Sequence, residues 1–207
     1  MILGAVGKKL GMTQFYKEDG TVISVTAVAM GPCVIAQVKT VEKDGYEAVQ
    51  LAFDPSERLN KPERGHLRGL GNFRHLREVR VKDVSQHEVG QAVGADIFSP
   101  GERISVRGQS KGKGFAGGMR RHHFKGQQKT HGQKDRWRAP GSVGSGTTPG
   151  RTLRGLRMAG HLGDDRVTQK GVEVVSVDPQ RNLVFIKGAI PGATNGIVVL
   201  RKTQEGG

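Results

Sequence analysis

One contiguous third of this chain is too cationic and too poor in apolar side chains to fold unaided. From Arg107 to Lys170, 64 residues carry fifteen Lys or Arg against three acids, Asp135, Asp164 and Asp165, a net charge of +12. The other 143 residues hold eighteen basic and sixteen acidic groups and so supply only +2 of the total +14. The same third has thirteen apolar residues and fourteen glycines. Ordering a backbone costs roughly 1–2 kcal/mol per residue, more for glycine, and thirteen scattered side chains cannot offset that over such a length. The segment therefore requires an external polyanion to hold its shape. A free basic linker is the competing reading. Against it, the segment is internal, lies between strand-like flanks, and spaces Phe115, Phe124, Trp137 and Met158 among its charges.

The flanks read as short strands broken by turn chemistry. Ile2–Lys8, Thr13–Tyr16, the β-branched run Thr21–Val28, Cys33–Val38 and Tyr46–Phe53 are separated by Glu18-Asp19-Gly20, Gly31-Pro32 and Lys43-Asp44-Gly45. After the basic segment come Val172–Val177, Leu183–Lys187 and Ile197–Arg201, with turns at Asp178-Pro179-Gln180 and Asn195-Gly196. Strands at this spacing predict a mainly β chain, an antiparallel barrel built from residues 1–53, 96–106 and 171–207. Residues 54–95 are expected to form a small satellite insertion with a short helix, opened by Pro62, carrying Leu67 and Leu70 on one side and ending at Gly71. Its mixed charge, which includes Arg58, Lys61, Arg64, Arg68, Arg74, Arg77, Arg80 and Lys82, suggests a secondary RNA contact. Residues 107–170 would then be a long excursion between two barrel strands.

Few chemistries are open to such a chain. Gly112-Lys113-Gly114-Phe115-Ala116-Gly117 matches G-x-G-x-x-G formally, but no βαβ unit surrounds it, and Gly114 follows Lys113 where a P-loop needs Ser or Thr. Cys33 is the single cysteine, so no internal disulfide and no cysteine zinc site is available. His122 and His123 are adjacent, a poor spacing for a metal, and Asp164-Asp165 reads as a solvated turn rather than an acid–base pair. No apolar run reaches the ~18–20 residues of a membrane span, and the opening residues lack a secretory h-region. The expectation is a cytoplasmic protein that is no enzyme, with no catalytic residue, metal, cofactor, membrane or small-molecule partner.

What remains is cationic side chains interleaved with planar ones, the pattern that neutralises phosphates and stacks on unpaired bases. The candidate RNA-binding residues are Lys111, Lys113, Phe115, Arg120, Arg121, His122, His123, Phe124, Lys125, Lys129, His131 and Lys134. Arg136, Trp137, Arg138, Arg151, Arg154, Arg157, His161 and Arg166 complete the set. Trp137 reads equally well as a local hydrophobic anchor.

Seven stretches follow one another along the whole chain: Gly7-Lys8-Lys9-Leu10-Gly11-Met12-Thr13, Gly31-Pro32-Cys33, Lys43–Gln50, Ser110–Gly117, Pro140–Gly144, Thr148–Arg151 and Met158–His161. Together they resemble the bacterial large-subunit ribosomal protein L-three family. The resemblance implies a translation-protein-type barrel on the subunit surface and a basic loop entering large-subunit (23S-type) ribosomal RNA. It places the loop tip, Ser145, Gly146, Thr147 and Thr148, near the peptidyl transferase region. It further implies early assembly beside ribosomal proteins L-fourteen and L-nineteen. The chain departs from the family pattern at Ser105, Arg107 and His122, and Thr147 stands where some members carry a methylated glutamine. Two other readings remain open: a nucleotide-dependent RNA-modifying enzyme using the glycine run, and a basic-loop module for DNA or acidic membranes.

Overall fold

In the computed structural model, residues 4–81 and 83–203 are described. Ile2, Leu3 and Lys82, which the sequence reading assigned to a first strand and to the insertion, lie outside the described residues. The strands are β1 (Gly4–Tyr16), β2 (Val22–Met30), β3 (Cys33–Lys39), β4 (Ala48–Pro55), β5 (Phe73–Arg80) and β6 (Ala92–Val93). They continue with β7 (Arg103–Gln109), β8 (Phe115–Ala116), β9 (Gly160–His161), β10 (Arg166–Asp178), β11 (Leu183–Lys187) and β12 (Ile197–Lys202). Among the described residues, three short helices, α1 (Val41–Asp44), α2 (Lys61–His66) and α3 (Gly118–His122), make up the regular α content. The chain is mainly β, as its β-branched runs and turn spacing lead one to expect.

It divides into two compact units, Met1–Ser110 with Arg166–Gly207, and Lys111–Asp165. In the first, antiparallel pairing runs β1–β12–β7–β10–β11–β2 and returns from β2 to β1, so each of these six strands has a partner on both sides. Closure removes the free edges that a sheet otherwise exposes. Alternation drives it: Ile104, Val106, Val184, Ile186, Val198 and Leu200 are fully buried, while Arg103, Arg107, Lys187 and Arg201 point outward from the same strands. Gly7 permits a close approach, since a β-carbon there would stand 2.8 Å from the Ala29 carbonyl oxygen and 2.7 Å from Val28 Cγ1.

A second sheet in this unit, ordered β5-β4-β3-β6, takes the strands expected before residue 54 to complete the barrel. Cys33–Val38 and Tyr46–Phe53 are indeed extended, but β3 and β4 pair with each other and with strands from the 54–95 insertion. The reassignment follows from burial, because Ile35, Val49, Leu51 and Val79 face the common core of the unit. β5 escaped the sequence reading since half of Phe73-Arg74-His75-Leu76-Arg77-Glu78-Val79-Arg80 is charged; an edge strand tolerates that, and charge discourages further pairing. The insertion's helix forms with Pro62 in its first turn and an Asn60–Glu63 capping box. It is one turn shorter than expected, and Leu67 caps it while joining Ala36 and Ala52 in a small separate cluster with Leu70 packed alongside.

The boundary of the basic excursion also differs. Arg107, Gly108 and Gln109 pair with Thr168, Val167 and Arg166, so both roots assigned to it on charge are ladder residues. Charge density says nothing about where a ladder stops, because outward positions of a strand accept charge freely. The separate compact unit runs from Lys111 to Asp165.

Candidate nucleic-acid interface

Across residues 111–165 a single side chain, Ala116, is buried. The unit carries twelve Lys or Arg and three acids. The ion pairs among the described residues, Lys39–Glu78 at 2.8 Å and Lys202–Glu102 at 3.0 Å among them, join residues of the other unit. The lysines and arginines of 111–165 take part in none of those pairs.

A small frame gives the unit its local shape. β8 and β9 pair through Phe115 with His161 and Ala116 with Gly160. Backbone bonds extend the ladder, with the Lys113 amide donating to Leu162 at 2.8 Å and the Leu162 amide to Gly114 at 2.9 Å. α3 follows at once and stops at His123, which takes the left-handed conformation with φ 61°. From this helix Arg121 donates to the Met158 carbonyl at 2.9 Å, and His122 Nε2 donates to the same oxygen at 3.0 Å. The His122 ring also lies 5.8 Å from Phe124. Gly160 leaves the space that the Arg121 guanidinium occupies, as a β-carbon there would collide with it.

Farther along, the Gln127 amide donates to the Trp137 carbonyl at 2.9 Å. Lys129 Nζ sits 4.5 Å and the Arg138 guanidinium 5.2 Å from the centre of the Trp137 ring. These cation–π contacts hold two charges beside an indole that is itself only half-buried. Trp137 is thus a local anchor that keeps its surroundings cationic.

The sequence-derived residues therefore separate into two groups. Arg121, His122, Phe124 and Trp137 are half-buried and bind the unit to itself. Lys111, Lys113, Phe115, Arg120, His123, Lys125, Lys129, His131, Lys134, Arg136, Arg138, Arg151, Arg154, Arg157 and His161 are exposed, as are Ser145 to Thr148. Phe115 is 78% exposed, an unusual placement for a large apolar ring and a suitable one for stacking on a base. Arg166 is exposed too, but on β10 in the other unit.

The glycine run does not form a dinucleotide cradle. The strand before it, β7, lies in an antiparallel ladder rather than a parallel βαβ unit, a two-residue strand lies within the run, and the helix after it has only five residues, so no substantial helix N-terminus faces a pyrophosphate site. Cys33 is buried, its thiol pushed up to about 11 by desolvation, and its Sγ donates to the Val6 carbonyl at 3.2 Å; it is a core residue, not a nucleophile.

Sequence reasoning passed over Lys9. It is buried, with Nζ donating to the carbonyls of Ile190 at 2.8 Å and Gly192 at 3.0 Å, so this cation ties β1 to the loop before β12. The alternation within β1 was the available signal, although the Lys8-Lys9 doublet reads as surface charge.

Comparison with known proteins agrees with this picture. The family described as Ribosomal protein L3 matches residues 78–182. A Large ribosomal subunit protein uL3 of Herpetosiphon aurantiacus is 51% identical over 208 residues, covering 99% of this chain and 98% of the relative. Proteins of the same name from Dehalococcoides mccartyi and a Roseiflexus species are each 50% identical, over 99% and 100% of this chain and 100% of their own lengths. An identity near one half over the full length leaves no room for a different fold: the chain belongs to the ribosomal protein L3 family.

Proposed function

We propose that this chain is a non-enzymatic structural constituent of the large ribosomal subunit in the bacterial cytoplasm, and that residues 111–165 bind large-subunit ribosomal RNA. The relatives named above are large-subunit proteins. The observation that carries the reading is the exposure of most side chains in a unit with twelve cations and one buried residue. Surrounded by water, such a unit has little to stabilise it beyond the β8–β9 frame and the Arg121–Met158 tie. Surrounded by phosphates, each exposed lysine or arginine releases condensed counterions, and Phe115 and the exposed histidines gain partners.

The six-stranded ring is then a translation-protein-type barrel seated on the subunit surface, with the insertion beside it as a satellite. The tip, Ser145 to Thr148, braces RNA near the peptidyl transferase centre. Its part in peptide-bond formation is positional, as no general base faces outward there. Binding early in assembly, next to ribosomal proteins L-fourteen and L-nineteen, completes the proposal. The rival readings, a nucleotide-dependent enzyme or a module for DNA or membranes, lack a cradle or a specific anchor.

Limited proteolysis of the full chain tests this directly. Cleavage between 111 and 165 is expected to be rapid in the free protein and suppressed by a large-subunit RNA transcript, but not by duplex DNA of equal charge or by anionic vesicles. Equal protection by all three polyanions, or by none, would overturn it.

A further inference from the structure

Away from residues 111–165, the strand-built unit has a groove of about 1080 Å³. Its walls carry Arg77, Arg80, Arg107, Arg166, Lys170 and Arg201, all exposed. One acid, Glu78, lies among them and is already satisfied: Lys39 Nζ pairs with it at 2.8 Å and the Tyr46 hydroxyl donates to it at 2.8 Å. That bond to Lys39 holds the Glu78 carboxyl below its ordinary range, so it stays committed to Lys39.

The cations meet here for a reason rooted in the core. Burying Ile104, Val106, Val198 and Leu200 forces Arg107 and Arg201 to the outer face of the ring. Register then sets them in rows, Arg107 between Thr168 and Val199, Arg166 opposite Gln109, and Arg201 opposite Ser105. Lys170 falls in the register irregularity between Gln169 and Val172, where a bulge re-aims a side chain. β5, the edge strand of the other sheet, contributes Arg77 and Arg80, and buried Val79 and half-buried Val199 also line the groove. Six like charges around one concavity repel one another, and five of the six are guanidinium groups, which suit the paired oxygens of phosphate.

We infer that this groove is a second RNA-backbone site, gripping a phosphate run separate from the RNA held by residues 111–165. The inference rests on the proposed function for the identity of the polyanion, but not for its place on the chain. Two linked sites on one RNA would raise affinity by effective concentration, with neither site needing to be strong. The alternative occupant, an acidic protein segment, is an outcome of the test below.

The test uses the full chain and a large-subunit RNA transcript, reading the slope of log affinity against log salt. Arg107→Gln, Arg166→Gln and Arg201→Gln together are expected to flatten the slope by about 2–3, at ~0.7–0.9 per lost phosphate contact. Arg107→Lys, Arg166→Lys and Arg201→Lys together should keep most of it, and a cooperative thermal transition in both proteins shows that the ring is intact. An unchanged slope in the glutamine protein overturns the inference, as does an equal loss in the lysine protein, which would mean that geometry rather than charge was lost. A glutamine protein that keeps its RNA slope yet loses binding to poly-glutamate also overturns it, in favour of an acidic protein partner. The two readings fail separately. A chain neutralised in 111–165 that keeps its full slope defeats the proposed function and leaves the groove standing. A groove protein with an unaltered slope, beside a flattened 111–165 variant, does the reverse.

Discussion

Neutralising Lys111, Lys113 and Arg120 with glutamine isolates phosphate binding from the frame that shapes residues 111–165. All three side chains are exposed, and the ordered bonds of Lys113 and Arg120 run through their main chain, to Leu162 and Gly117. Arg121 is left alone because its guanidinium holds the Met158 carbonyl. Three contacts at ~0.7–0.9 each should flatten the salt slope by about 2.1–2.7. A fourfold rise in salt, from about 50 to about 200 mM, weakens the native protein through those contacts by roughly twenty- to fortyfold, and the variant escapes that part of the loss. Fluorescence anisotropy with a labelled large-subunit transcript across that range measures it. A slope equal to that of the native chain would show that these residues do not meet phosphate. A uniform loss of affinity at every salt concentration, with no change in slope, would equally refute the reasoning.

Two further outcomes concern the strand-built unit. Cys33, with its thiol raised to about 11 by burial, is expected to resist alkylation near neutral pH until the unit is unfolded by denaturant; prompt labelling of the folded chain would contradict the buried placement. His87 is buried with neither ring nitrogen hydrogen-bonded, and burial lowers its pKa below the usual 6.5. A depressed folded value means that its contribution to stability is complete above pH ~6.5 and is lost as pH falls towards that value, by at most about 1.4 kcal/mol per pH unit. Urea unfolding between pH ~7 and ~5.5 should therefore show a flatter pH dependence in His87→Leu than in the native protein, the comparison cancelling the other titrating groups; parallel curves would count against it.

How legible all this was in the sequence depended on the kind of information each residue carries. The strands β2, β11 and β12 announce themselves through β-branched runs bounded by turns, so Thr21–Val28, Leu183–Lys187 and Ile197–Arg201 were read within a residue or two of their limits. β5 was hidden by its charges, and β1 looked like two strands because Lys9 to Gly11 interrupt the apolar pattern where a bulge shifts its register against β2. Among candidate site residues, Lys113 and Arg121 looked alike as cations in a glycine-rich stretch. Only the fold shows the first exposed and the second tied to Met158 across 37 positions.

The basic, apolar-poor character of 107–170 is determined by composition alone, since charge and hydrophobic content do not depend on how the chain is arranged. So is the mainly β character of the flanks, a local consequence of branched side chains and turn residues. Which strands share a sheet was decided only in three dimensions. β3 and β4 left the ring for the second sheet because burial, not local preference, chooses partners among strands of similar composition. The groove of six cations is likewise a tertiary product. Arg77, Arg107, Arg166 and Arg201 lie far apart along the chain, and closing the core beneath them is what brings their charges to one face.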